Sequence, residues 1–143
     1  MNVRINNVLI IDDDSSFLLS LSEGLREYEH IFKTFTAENG RIGLDLLHSI
    51  NADLVVTDLK MPVVDGFEVL AHLAIHFPQI PVIVITAFGT VEIEKRIHRH
   101  VLRYMEKPLD YKELAREISK GLLSASKGRS KENTAHEARY SRH

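Results

Sequence analysis

Four apolar runs in this chain end on residues that could do chemistry together. VLII at 8–11 leads into Asp12, Asp13 and Asp14; LVVT at 54–57 delivers Asp58; VIVIT at 82–86 finishes on the hydroxyl of Thr86; and the more polar RYMEK at 103–107 finishes on Lys107. If these tips meet, Asp12, Asp13, Asp58 and Lys107 leave a net charge of -2 in one pouch. Two unit charges about 4 Å apart repel by ~1 kcal/mol in water and ~4 kcal/mol at an effective dielectric near 20. Such a pouch opposes its own ionisation unless a cation joins it. All-oxygen donors favour a hard ion, and Mg²⁺ keeps several waters while taking one or two carboxylates. Asp13 and Asp58 are the expected direct ligands, with Asp12 holding a water and the main-chain carbonyl of Lys60 adding an oxygen. A carboxylate beside Mg²⁺ and an ammonium is equipped for phosphoryl transfer. Asp58 would attack in line to give an aspartyl phosphate, the cations would neutralise the phosphoryl oxygens, and Thr86 would hydrogen-bond one of them. An isolated DDD is usually a solvated turn and helix cap, the role expected of Asp14; facing Asp58 and Lys107 sets this one apart.

The tips meet only if the runs lie parallel in one sheet. Each run is short and β-branched, and a weaker FKTFTA at 32–37 completes a set of five strands. Between them lie segments with helical spacing: Phe17, Leu18, Leu21, Leu25; Ile42, Leu46, Ile50; Phe67, Leu70, Ala74, Phe77; Ile93, Ile97, Val101; and Tyr111, Leu114, Ala115, Ile118, Leu122. Strand followed by helix, five times over, implies right-handed crossovers and a parallel sheet covered on both faces. Asp14 or Ser15, Asn39-Gly40, Asp65, Thr90 and Asp110 are the expected helix starts. Lys33 in one weak strand, and Arg103 with Glu106 in the other, mark sheet edges, so the runs at 8, 54 and 82 are central. In such a sheet the carboxyl ends share one rim, and ligands bind there where strand order reverses.

With these residues in view, VLIIDDDSS, TDLKMPVVDG, VIVITA and YMEKP resemble the receiver domain of two-component response regulators over residues 5–123. The resemblance implies a flavodoxin-like (βα)5 sandwich, α/β in class, with a five-stranded parallel sheet of order 2-1-3-4-5. It implies Asp58 as phosphoacceptor, Asp12 and Asp13 as the metal pair for Mg²⁺, Lys107 as the phosphate-contacting lysine, Thr86 and Tyr104 as switch residues, and a cis bond before Pro108. It further implies a sensor histidine kinase or phosphotransfer protein as donor and self-catalysed dephosphorylation, with no other enzymatic activity. A face of helix four, strand five and helix five would pass the signal to an effector or to a second copy in a homodimer. Three features depart from the family. The stretch from Thr86 to Lys107 is about one residue short and has His100-Val101 before the last strand; Lys60 and Phe88 flank the pocket, where a bulky Phe88 would exclude water and slow dephosphorylation; and His98, Arg99, His100 and Arg103 form a basic patch.

A haloacid-dehalogenase-type phosphatase is the rival, with Asp12 as nucleophile and Asp14 as acid/base in DxDxS. It leaves TDLKMPVVDG unexplained. His72 and His76, an i, i+4 pair, read as part of an exposed polar stripe with Glu68. The chain of 143 residues, 44% of them apolar, fits one domain. Its lack of cysteine excludes disulfides and thiolate metal sites, and no apolar run reaches a membrane span, so a cytoplasmic protein is expected. Residues 124–143 carry five Lys or Arg against two Glu and almost nothing apolar, which reads as a basic flexible tail or linker after a receiver at 1–123. Without GxxxxGK[ST] or GxGxxG, nucleotide binding is not expected, and twenty residues are too few for a DNA-reading domain.

Overall fold

A computed structural model describes residues 4–87, 89–97 and 101–140, with side chains through residue 126. The elements run β1 (Asn6–Ile11), α1 (Ser15–Gly24), a 3-10 turn at Arg26–Tyr28, β2 (Phe32–Ala37), α2 (Gly40–Ile50), β3 (Leu54–Thr57), α3 (Gly66–His76), β4 (Val82–Thr86), α4 (Val91–Ile97), β5 (Arg103–Glu106) and α5 (Tyr111–Tyr140). All strand pairs are parallel and the order is β2-β1-β3-β4-β5. The charged strands are therefore the edges, as the sequence implies.

Side-chain alternation splits the core in two. Val8, Ile10, Leu54, Val56, Ile83 and Ile85 face α1 and α5, meeting Leu18, Leu21, Leu114 and Ile118. Leu9, Ile11, Val55 and Val84 face the other way, toward Leu47, Val69, Leu73 and Ile97 on α2, α3 and α4. Central strands buried on both faces are why β3 and β4 read as unbroken apolar runs.

Each helix start follows its side chain. Asp14 accepts from the Phe17 N–H at 3.1 Å, Asn39 from Ile42 at 2.8 Å, Asp65 from Glu68 at 2.9 Å and the Thr90 hydroxyl from Ile93 at 3.1 Å. Asp110 accepts from the Lys112 N–H at 2.9 Å. Residues 124–143 read from composition as a basic flexible tail or linker, and the α5 backbone runs through them to Tyr140. No proline interrupts it, and Lys, Arg, Glu and Ala are strong helix formers that extend a helix already nucleated on the core.

After β3 the chain turns through Pro62, and the Val64 N–H donates to the Pro62 carbonyl at 2.9 Å around Val63, whose φ is 69°. That is the rare γ-turn of positive φ, strained for a β-branched residue. Val63 is 81% exposed, so no packing compensates. Val63→Asn should raise stability by about 1 kcal/mol, because Asn tolerates the left-handed region; a higher urea midpoint at unchanged m-value checks it.

Candidate functional site

The four strand tips converge as their placement implies. Asp58 follows the last β3 residue, and its N–H donates to the Ile11 carbonyl at 3.0 Å, seating it beside the end of β1. The Asp12 N–H donates to the Ala37 carbonyl at 3.1 Å, and the Lys107 N–H to the Thr86 carbonyl at 3.1 Å, so the rim stays in register across five strands. Lys107 Nζ lies 2.6 Å from Asp12 Oδ2 and 3.2 Å from Asp58 Oδ2. The other oxygens of both carboxylates take backbone donors: Leu59 N–H to Asp58 Oδ1 at 2.7 Å, and Asp14 N–H to Asp12 Oδ1 at 2.9 Å. Each carboxylate is thus held by one main-chain N–H and one shared ammonium.

Burial grades the three acids. Asp12 is 2% exposed, Asp58 8%, and Asp13 sits at the open rim. Burial pushes the Asp12 carboxyl up from its ordinary value, against the hydrogen bonds from Lys107 and the Asp14 N–H, and the charge of Asp58 adds to the rise. For Lys107, burial pulls the ammonium down, but the bond and charge of Asp12, followed by those of Asp58, outweigh it and the net shift is upward. The two partners differ because Asp12 is more deeply buried and has a second carboxylate beside it, while the lysine has two anions for itself. The ammonium is therefore charged at neutral pH.

Oxygens of Asp12, Asp13 and Asp58 lie within 4.8 Å of one another, the one cluster of its kind among the described residues. Three hard donors, two of them paired with the Lys107 ammonium, fit a hard divalent cation. Beside them Asp13, Lys60, Met61, Pro62 and Asp65 line a shallow groove of about 410 Å³. Gly66 is required here, since a Cβ on it would run into the Asp58 carbonyl oxygen and the Leu59 Cα. Thr86 is 1% exposed at the end of β4. Tyr104 on β5 is half-buried; its hydroxyl is buried without a hydrogen-bond partner among the described residues and abuts Gly89, and burial, reinforced by Glu106 and Glu94, pushes the phenol up. The Lys107–Pro108 bond is cis.

Asp14, the acid/base of the phosphatase reading, is exposed and commits Oδ1 to the α1 cap. Arg103 turns toward Glu117 on α5, with 3.9 Å between Nε and Oε2. Phe88, His98, Arg99 and His100 lie outside the described residues.

One contact escaped the sequence reading. The Lys107 ammonium sits 4.1 Å from the centre of the Phe17 ring, which projects from the first turn of α1. The helical stripe marked Phe17 as core, and only the rim geometry reveals that its face meets a cation. Cation–π attraction here is about 0.5–1 kcal/mol, so Phe17→Leu should lower the stability of the domain by at least that much; the urea midpoints of both proteins check it.

Comparison with known proteins agrees with this geometry. The family model of the response regulator receiver domain matches residues 8–119. Sporulation initiation phosphotransferase F of Bacillus subtilis is 32% identical over 116 residues, covering 80% of this chain and 92% of that protein. Regulatory protein AtoC of Escherichia coli is 36% identical over 113 residues, 77% of this chain but 24% of its own length. This chain thus spans about a quarter of several larger regulators that it matches. A CheY-like response regulator receiver domain protein from Methanospirillum hungatei superposes with a TM-score of 0.80 at 25% identity, covering 87% of this chain and 99% of that one. A five-stranded 2-1-3-4-5 sheet, an acidic rim with its lysine, and a family match over most of the length have one reading: the chain belongs to the response regulator receiver domain family.

Proposed function

We propose that this receiver takes a phosphoryl group from a phosphohistidine onto Asp58 and that the resulting aspartyl phosphate switches its α4-β5-α5 face. The observation that carries the reading is the shared ammonium: Lys107 Nζ reaches Asp12 and Asp58 together, at 2.6 and 3.2 Å, inside the single acidic cluster of the described residues. In the transfer a carboxylate oxygen of Asp58 forms a bond to phosphorus as the phosphorus–nitrogen bond of the donor breaks, and the imidazole leaves. Leu59 N–H and Lys107 hold the carboxylate plane in place for that attack. Lys107 then transfers its contact from the carboxylate to the phosphoryl oxygens. Asp12, Asp13, Asp58 and the Lys60 carbonyl would hold Mg²⁺, which when bound neutralises charge on the transferring group.

Hydrogen bonds to charged groups contribute about 1.5–3 kcal/mol each. Bonds from Thr86 and Lys107 to the phosphate approach the ~5.5 kcal/mol that carries a two-state equilibrium from 1:99 to 99:1. As Thr86 turns toward phosphate, Tyr104, which pairs with Val84 two residues before it on β4, repacks against α4. A sensor histidine kinase or phosphotransfer protein is the donor. The recipient of the signal is an effector segment, a separate protein or a second copy, reached through residues 124–140 or through the switch face. No helix among the described residues is long and apolar enough to cross a membrane, and we place the domain in the cytoplasm. Incubation with a small phosphodonor and Mg²⁺ tests the reading: an adduct of about 80 Da on Asp58 supports it, whereas steady hydrolysis of a phosphomonoester dependent on Asp12 would replace it with the phosphatase reading.

A further inference from the structure

Away from the acidic rim, α2 and α3 bring three imidazoles together. His72 and His76, one turn apart on α3, have ring centres 4.5 Å apart, and His48 on α2 lies 6.0 Å from His72. The sequence placed His72 on an exposed stripe, but it is half-buried between the two helices, close to Phe77. Its Nε2 is buried and finds no hydrogen-bond partner among the described residues. Burial first, and the charges of His76 and His48 after it, push the His72 imidazole down from its ordinary value, which keeps it in the neutral form that binds metals.

We propose that His48, His72 and His76 form a transition-metal site, with zinc the ion tested, that clamps α2 to α3. With a metal–nitrogen bond of about 2.1 Å and roughly 1.1 Å more to each ring centre, imidazoles sharing a tetrahedral ion have centres about 5 Å apart. The spacings of 4.5 and 6.0 Å bracket that value. The nitrogens do not converge within 4.8 Å as the aspartate oxygens do among the described residues. Closure therefore needs side-chain rotation of His48 and His76, both exposed, around the packed central ring. Neutral nitrogen donors select borderline ions and disfavour magnesium, so this site and the oxygen-lined rim discriminate by ligand type. A fourth position is left to water.

The test is calorimetric titration of the full chain with zinc above pH 7, in excess Mg²⁺ so that the acidic rim is occupied. One zinc per chain is expected at a site that raises the melting temperature. His48→Gln and His76→Gln should each weaken zinc binding about tenfold or more, with metal-free melting unchanged because both side chains are exposed. Zinc binding that survives both substitutions, that is lost on Asp13→Asn, or that is abolished by His98→Gln with His100→Gln overturns the proposal.

Discussion

Asp58→Asn should yield a folded domain that no longer acquires the phosphoryl adduct of about 80 Da from a small donor, with no other acid replacing it. The amide keeps the shape of the side chain but is a poor nucleophile, and it removes the negative charge that the Lys107 ammonium pairs with. Neighbouring acids cannot stand in. Asp12 is 2% exposed, with one oxygen on the Asp14 N–H and the other on Lys107, while Asp13 sits at the rim in front of them. A drop of at least a thousandfold in labelling rate, about 4 kcal/mol of barrier, is expected. Thermal stability should hold or rise, because Lys107 keeps Asp12 and one like charge leaves the cluster. Intact-mass measurement over time, with peptide mapping, reads the rate and the position. Labelling of the variant at the wild-type rate would move the phosphoacceptor elsewhere.

The rim was legible from sequence because strand tips are a backbone property. Once VLII, LVVT and VIVIT are read as parallel strands, Asp12, Asp58 and Thr86 fall on one edge, and the Lys107–Pro108 tail of β5 joins them. Capping was legible for a similar reason, since Asp14, Asn39, Asp65 and Thr90 each act on an N–H three residues ahead. What needed coordinates depends on pairs distant in the chain. Phe17 meets Lys107 only because α1 begins at the rim, and His48 meets His72 only because α2 leans on α3. The positive φ of Val63 was hidden for a different reason: its residue type argues against that conformation, and the turn is fixed by the need to bring Gly66 onto the Asp58 carbonyl. Composition is silent on the helical course of residues 124–140, because apolar content measures burial, whereas a helix extended from a packed one needs only propensity.

Magnesium should stabilise the domain strongly, and Asp13→Asn should remove most of that gain. In the metal-free protein three carboxylates lie within 4.8 Å of one another, two of them on the Lys107 ammonium, so folding assembles like charges that the unfolded chain keeps apart. A ligand that binds only the folded state adds about 2.7 kcal/mol at a hundred times its dissociation constant. Asp13 is the place to test this, since it is exposed: the amide opens no cavity and strands no buried donor. Removing its charge relieves ~1 kcal/mol of repulsion at the solvent-screened limit of ~4 Å separation, so the variant should be more stable than wild type without metal. It should be less stable than wild type with metal, because a hard cation that loses one of its acids binds far more weakly. Urea unfolding of both proteins, with Mg²⁺ or with chelator at matched ionic strength, gives the four midpoints. A crossing of the two stability orders is the expected pattern, and an equal magnesium gain in both proteins would place the ion away from Asp13.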